Sequence, residues 1–416
     1  MKYIFLIVFF LHFFASLFAQ TKGHHAALGE TYFQKKAYLI AIPHLQKAIR
    51  QNKNDTQCIV QLAISYFYTR RLDKAHKCFT YLIKANLLKD SLKVYYFNTL
   101  KQQGSYSVAK KWGLAQKDST IRKMVSYCDS AITWNKKTKP VKVENLKNLN
   151  TEYSESNPSL HKNGLYFVSN RETVLIEKKS GNDGLPYQSA YFSEYSKDSI
   201  LQSPNPYNKF RNDEYHAGSA FFVEDTTLIY YTRVQKDRDN VLRSKLFLED
   251  LNRKSDVPRK LFILNDSLYS FLHPCMDKDQ KLFFFASKMP GGLGGSDIYV
   301  SIKINEIWSE PINLGPKINS ADNEIFPFYD PDGRLFFSSD RPEGLGGFDI
   351  FVATQKKGDW VGLQNLKVPV NSSNDEMGFV IHKSLKRAFF CSNRPGGAGL
   401  EDLYQVKGKL FFLFDK

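Results

Sequence analysis

The chain has 416 residues, and 58 Lys and Arg against 42 Asp and Glu leave a formal net charge of +16. That length allows two or three domains, and 42% hydrophobic residues suffice for ordinary cores, which excludes a wholly disordered chain. Five cysteines exclude a disulfide-built scaffold, and after the N-terminal stretch no apolar run reaches the ~18 residues of a spanning helix.

Lys2 gives a short positive start, and Ile4 to Phe14 is apolar except for His12. Ala15-Ser16-Leu17-Phe18-Ala19-Gln20 follows, with small Ala19 where a signal peptidase would cut. Residues 1–19 therefore read as a secretory signal peptide. An uncleaved anchor helix is the competing reading, and the small-residue exit favours cleavage. No Cys follows the apolar stretch, which argues against a lipoprotein anchor. The mature protein is expected to be exported, without a transmembrane span, and export argues against a nucleic-acid partner.

Residues 20–140 hold 22 basic and 6 acidic residues, whereas residues 141–416 hold 35 and 36. This asymmetry reads as a domain boundary. It assigns any electrostatic preference to the first half, toward anionic glycans, lipid headgroups or an acidic protein face. Plain solvation of a basic surface is the bland alternative.

Within residues 20–140, Leu28-Gly29, Tyr32, Ala41, Leu45 and Ala48 recur 34 residues later as Leu62-Ala63, Tyr66, Ala75, Phe79 and Leu82. Such offsets place small residues where paired helices touch and large ones in the groove between pairs. A third unit keeps the phase at Tyr96, Leu100 and Ala109, with Gly113 in place of the large residue. Period, residue types and order resemble tetratricopeptide repeats, although Lys53 stands where the first unit would carry its terminal Pro. Arrays of this kind bind peptides or protein surfaces, or brace a neighbouring domain. Tyr106, Lys110, Lys111 and Trp112 form a candidate basic, aromatic binding site, unless they cap the array with Trp112 in its core.

Residues 141–407 repeat at a longer period. Asp332 to Arg341 reads as a turn and an alternating strand; a Gly-rich turn and a second strand from Phe348 to Val352 follow. Similar text runs from Asp279 to Tyr299 and from Ser384 to Tyr404, with degenerate copies at Gly164 to Arg171 and Thr227 to Arg233. The strand-end basic residues align as Arg171, Arg233, Lys288, Arg341 and Arg394, and the Asp before the later strand as Asp297, Asp349 and Asp402. Four short strands per unit and five units predict a five-bladed β-propeller. Asn145-Leu146-Lys147 matches Asn365-Leu366-Lys367, so Val141 to Lys147 reads as an outer strand without its own blade. It is expected to complete the last blade and close the ring. The fold class is thus multidomain α + all-β: a short tetratricopeptide-type array, then a five-bladed propeller, then a tail at 408–416.

The runs Gly291-Gly292-Leu293-Gly294-Gly295 and Gly344-Leu345-Gly346-Gly347 are followed by strands, which excludes a phosphate loop. Each offers little beyond one Asp as a calcium ligand. Hairpins needing positive φ account for the glycines, with the Asp accepting bonds from turn amides or the nearby Arg. Cys58, Cys78, Cys128, Cys275 and Cys391 lack C-x-x-C spacing, and an odd count leaves at least one unpaired or intermolecular. His24-His25 reads as a chain end rather than a metal site. No cofactor or metal site is expected, and no G-x-S-x-G elbow marks a hydrolase.

The blade text (alternating strand, S-[DN]-R, Gly-rich turn, D-[IL]-[YF]) resembles the TolB-like, WD-type propeller repeat of Gram-negative envelope proteins. The order of signal peptide, tetratricopeptide repeats and propeller resembles the PorE-type proteins of the OmpA family, from bacteria with type IX secretion and gliding machinery. That family continues into a β-sandwich and an OmpA-like peptidoglycan-binding domain, whereas this sequence stops at Lys416, which reads as a truncated paralogue or a gene fragment. The resemblance implies a non-enzymatic periplasmic, outer-membrane-associated scaffold whose partners are envelope proteins. The alternative is a peptidoglycan- or anionic-glycan-binding protein that uses the basic helical half.

Overall fold

The computed structural model describes residues 23–136, 140–171, 185–207, 216–224, 227–236, 241–252, 259–260 and 268–408. The expected signal peptide lies outside these residues, as does the tail after Gly408. The chain divides into two units, one ending at Val125 and one beginning at Ser126, whereas the shift in composition lies at 140/141. No described helix is long and apolar enough to cross a membrane.

The first unit is helical. Residues 23–34 form α1, followed by α2 (Tyr38–Gln51), α3 (Thr56–Tyr68), α4 (Leu72–Lys84), α5 (Asp90–Gln102), α6 (Tyr106–Leu114) and α7 (Ser119–Lys136), the last crossing into the second unit. The 34-residue period is also a backbone period. Lys36, Arg70 and Gly104 each take positive φ, at 59°, 55° and 72°, in the left-handed turn that closes the odd-numbered helix. The next amide in each case bonds back to Tyr32, Tyr66 or Leu100. Ala41, Leu45, Ala48, Ala63, Ala75 and Phe79 are buried. A Cβ on Gly29 would come within 2.7 Å of the Leu45 side chain, so α1 and α2 meet there. Gly113 stands where the earlier units have a large residue because Ile121 and Val125 of α7 fill the space, together with Phe97.

The second unit is a ring of five sheets. A lone strand β1 (Val141–Asn145) comes first. Blade 1 holds β2 (Glu155–His161), β3 (Gly164–Ser169), β4 (Ser189–Glu194) and β5 (Asn205–Pro206). Blade 2 holds β6 (Ala217–Phe222), β7 (Leu228–Lys236), β8 (Leu242–Asp250) and β9 (Arg259–Lys260). Blade 3 holds β10 (Phe271–Met276), β11 (Leu282–Ser287), β12 (Asp297–Ile304), β13 (Ile307–Trp308) and β14 (Ile312–Asn313). Blade 4 holds β15 (Glu324–Tyr329), β16 (Arg334–Ser339), β17 (Asp349–Lys356) and β18 (Asp359–Asn365). Blade 5 holds β19 (Glu376–His382), β20 (Arg387–Ser392) and β21 (Asp402–Gly408), and β1 is its fourth strand. The pairing of β1 with β21, with Val143 opposite Val406, is the closure expected from the sequence.

Alternating strands present apolar residues on both faces of each sheet, and the hydrophobic clusters lie between neighbouring blades. One unites Phe336 and Ile350 of blade 4 with Phe379 and Phe390 of blade 5. Another unites Phe389 and Leu403 of blade 5 with Leu165 and Phe167 of blade 1, so the closing interface is packed like the rest. Each such buried side chain contributes roughly 1.5–3 kcal/mol, and the packing of blade on blade covers the middle strands on both faces.

Candidate functional site

The repeated polar residues of the blades are directed inward. Glu376 is fully buried and accepts from Ser372 N at 2.7 Å, Ser372 Oγ at 2.6 Å, Ser392 Oγ at 2.8 Å and Arg394 Nη2 at 2.9 Å. Glu324 has the same partners in Ser320, Ser339 and Arg341. Glu155 has them in Thr151, Ser169 and Arg171. Each arginine also donates to a carbonyl of the segment leading into its blade, at Leu149, Ile318 or Val370. Each guanidinium lies over aromatic rings of its own blade, which adds a cation–π attraction.

Asp297, Asp349 and Asp402 accept from amides of the Gly-rich turns: Leu293 and Gly294, Leu345, and Ala398 and Gly399. An asparagine from the outer strand donates to each, namely Asn313, Asn365 and Asn145. Asn145 belongs to β1, so the closing strand brings the same side chain as its counterparts.

Strand register moves two of the aligned basic residues. Ser287 pairs with Asp297 as Ser339 pairs with Asp349, which puts Met289 where blade 4 has Arg341 and Lys288 where it has Asp340. Phe271 then stands at the place of Glu324, opposite Ser287, and Met289 packs in the same cluster. Blade 3 thus replaces an ion pair by an apolar one. In blade 2, Ala220 pairs with Tyr231 as Phe328 pairs with Phe336. Arg233 therefore falls at the place of Ser338, opposite Lys245, and Lys236 at the place of Arg341.

The four residues singled out on α6 differ in exposure. Tyr106 is buried, and Trp112 packs edge-on against Tyr96 with ring centroids 4.9 Å apart. Lys110 is half-buried, and only Lys111 is exposed.

The inner strands β2, β6, β10, β15 and β19 surround a cavity of about 670 Å³ on the propeller axis. Its walls are mainly apolar, with Phe221, Phe222, Phe326, Phe328 and Val380. The hairpins after these strands set Lys162, Lys278, Lys383, Glu224 and Asp277 at one mouth. Asp277 Oδ1 is occupied by the amides of Lys281 and Leu282, at 2.7 and 2.6 Å. Lys383 pairs with Asp332 at 2.8 Å, while Lys162 and Lys278 extend into solvent.

A bulge recurs in the inner strands, where Asn157, His273, Phe326 and Gly378 take φ of 56°, 57°, 54° and 69°. His273 stacks on Phe326 with centroids 3.6 Å apart. Its Nδ1 accepts from the Phe326 amide at 3.3 Å, which leaves the ring proton on Nε2. Burial pushes the imidazole pKa down to about 3, so His273 is neutral. Nothing in the sequence marked this cavity, because its lining is drawn from ordinary alternating positions on five separate strands.

All five cysteines are free thiols, and only Cys78 is not fully buried. Among the described residues no three or more His, Cys, Asp or Glu are placed to hold a metal ion.

No protein-family model matches the chain, and no curated protein matches it. Among solved structures it is similar to a thermostable family-43 glycoside hydrolase, at 15% identity and a TM-score of 0.39, over 62% of this chain and 90% of that one. It is also similar to a gluconolactonase from Xanthomonas campestris, at 11% identity and 0.34, over 64% and 89%. A third likeness is to the catalytic domain of a Coprinopsis cinerea α-L-arabinofuranosidase, at 11% and 0.37, over 61% and 90%. Likenesses this distant assign no activity to the chain, enzymatic or otherwise.

Proposed function

We propose that the chain acts by binding, with the axial cavity of the propeller as its docking site. The observation that carries this reading is an apolar cavity of about 670 Å³ with lysines at its mouth. The glutamates repeated in blades 1, 4 and 5 have both oxygens engaged by internal hydrogen bonds, and a group so held is not poised to exchange protons with a substrate. On the resemblance to PorE-type proteins, the chain is a periplasmic, outer-membrane-associated scaffold. Propeller and helical array then grip different envelope partners, such as components of type IX secretion or gliding machinery, and gain avidity by acting together.

Affinity capture of the tagged mature protein from solubilised envelope, at low and moderate salt, tests the scaffold beside a Lys162→Glu/Lys278→Glu variant. Stoichiometric partners that survive moderate salt and are lost in the variant support it. Recovery of the protein alone, or partners retained by the variant, would overturn docking at this mouth.

The excess of 22 basic over 6 acidic residues in residues 20–140 favours a second reading, in which the helical array holds peptidoglycan or another anionic glycan. Binding to purified sacculi should then fall steeply with salt. Binding unchanged at high salt would sink that reading.

A further inference from the structure

His25 of α1 and His44 of α2 face each other across the first helical pair, Nδ1 to Nδ1 at 3.3 Å. Two zinc–imidazole bonds of about 2.0–2.1 Å meeting at a tetrahedral angle span about 3.3–3.4 Å. The two nitrogens are therefore spaced as two ligands of one ion. We propose that His25 and His44 together bind one divalent transition-metal ion, with water completing its coordination, as a clip between α1 and α2.

The surroundings hold both rings in place. His25 lies one helical turn before Gly29, where the Leu45 side chain fits against the α1 backbone, and Leu45 is fully buried. Tyr32 stacks on His44 with centroids 5.6 Å apart and planes 26° apart. The rings of His25 and His44 are 5.5 Å apart, and both residues are half-buried, open to water on one side. Two imidazole nitrogen donors select zinc, nickel or copper over magnesium or calcium, which take oxygen ligands. A pair of protein ligands without a third implies modest affinity.

The same distance also suits a hydrogen bond, one Nδ1–H donating to the other Nδ1, and the two cases separate by experiment. Zinc is titrated calorimetrically into the untagged full chain, beside His25→Gln and His44→Gln variants checked for fold by circular dichroism. Saturable uptake of one ion per chain is expected, abolished by either substitution, with zinc raising the melting temperature of the unsubstituted protein only. Long-range ¹H–¹⁵N spectra should then show both Nδ1 resonances shifting together on titration. Absence of saturable uptake, or uptake that survives both substitutions, would overturn the proposal and leave a plain imidazole–imidazole hydrogen bond.

Discussion

At the scale of single residues, the buried glutamate of a blade is bound to its arginine by more than charge. Glu376 collects four hydrogen bonds, and Arg394 is nearly enclosed beside it. Removing one partner strands the other, so Glu376→Ala or Arg394→Met alone should each lower unfolding stability by ~3–5 kcal/mol. Replacing both, as blade 3 does with Phe271 and Met289, should cost less than the two single losses added together. A double-mutant cycle by chemical denaturation checks this, and simple additivity would contradict it.

His273 supplies the pH dependence at this scale. Its pKa falls from the ordinary 6.5 to about 3 on folding, so below pH 6.5 the unfolded chain binds a proton that the native state refuses. Its contribution is therefore complete above 6.5 and is lost as pH falls toward 3. His273→Asn copies the residue at the same bulge in blade 1. Denaturation midpoints at pH 7 and pH 4.5 should then differ less in the variant than in the parent, and equal differences would count against a neutral, half-buried imidazole.

At the scale of elements, the Gly-rich turns clasp one blade to the next. A Cβ on Gly294, Gly346 or Gly399 would run into backbone carbonyls leading into the following blade: Ser320 and Asp322, Ser373 and Asn374, or Thr151 and Tyr153. Adjacent amides bond to the same segments, Gly295 to Asp322, Gly347 to Asn374 and Leu400 to Tyr153. Positive φ is required at Gly291 and Gly396, as the turn text suggested, but close approach governs the rest. Gly396 has open space around it, so Gly396→Ala should cost only local strain, about 1–3 kcal/mol. Gly399→Ala must push adjacent blades apart and should cost more. Thermal melts of the two variants give the order, and a reversed order would remove the clasp.

Across the whole molecule, the sequence was legible where the same contact is built repeatedly. Blades 3, 4 and 5 repeat because each turn needs its Asp297, Asp349 or Asp402, with an asparagine donating from the outer strand. Blade 2 reads faintly because, among its described residues, it has neither the buried glutamate nor that asparagine. The 34-residue helical period was plain because Ala41, Ala75 and their neighbours recur at close contacts. Lys288 was placed one residue away from the position equivalent to Arg341 because charge, and not register, guided the alignment. The axial cavity and the facing His25 and His44 were illegible, since both join residues that only folding brings together.

Pairing β1 with β21 also fixes an order of events. The ribosome delivers β1 before every blade and β21 after all the others, so the ring stays unlatched until the last strand emerges. The entropy of joining such distant segments grows only logarithmically with the length between them, so the delay is one of timing more than of free energy. During that interval β1 is a strand without a neighbour. A product cut short before β21 keeps this orphan and also exposes the backbone edge of β20. Two such chains can trade strands with each other, so truncation would leave an adhesive ring where an intact one presents only the short outer edges of its blades.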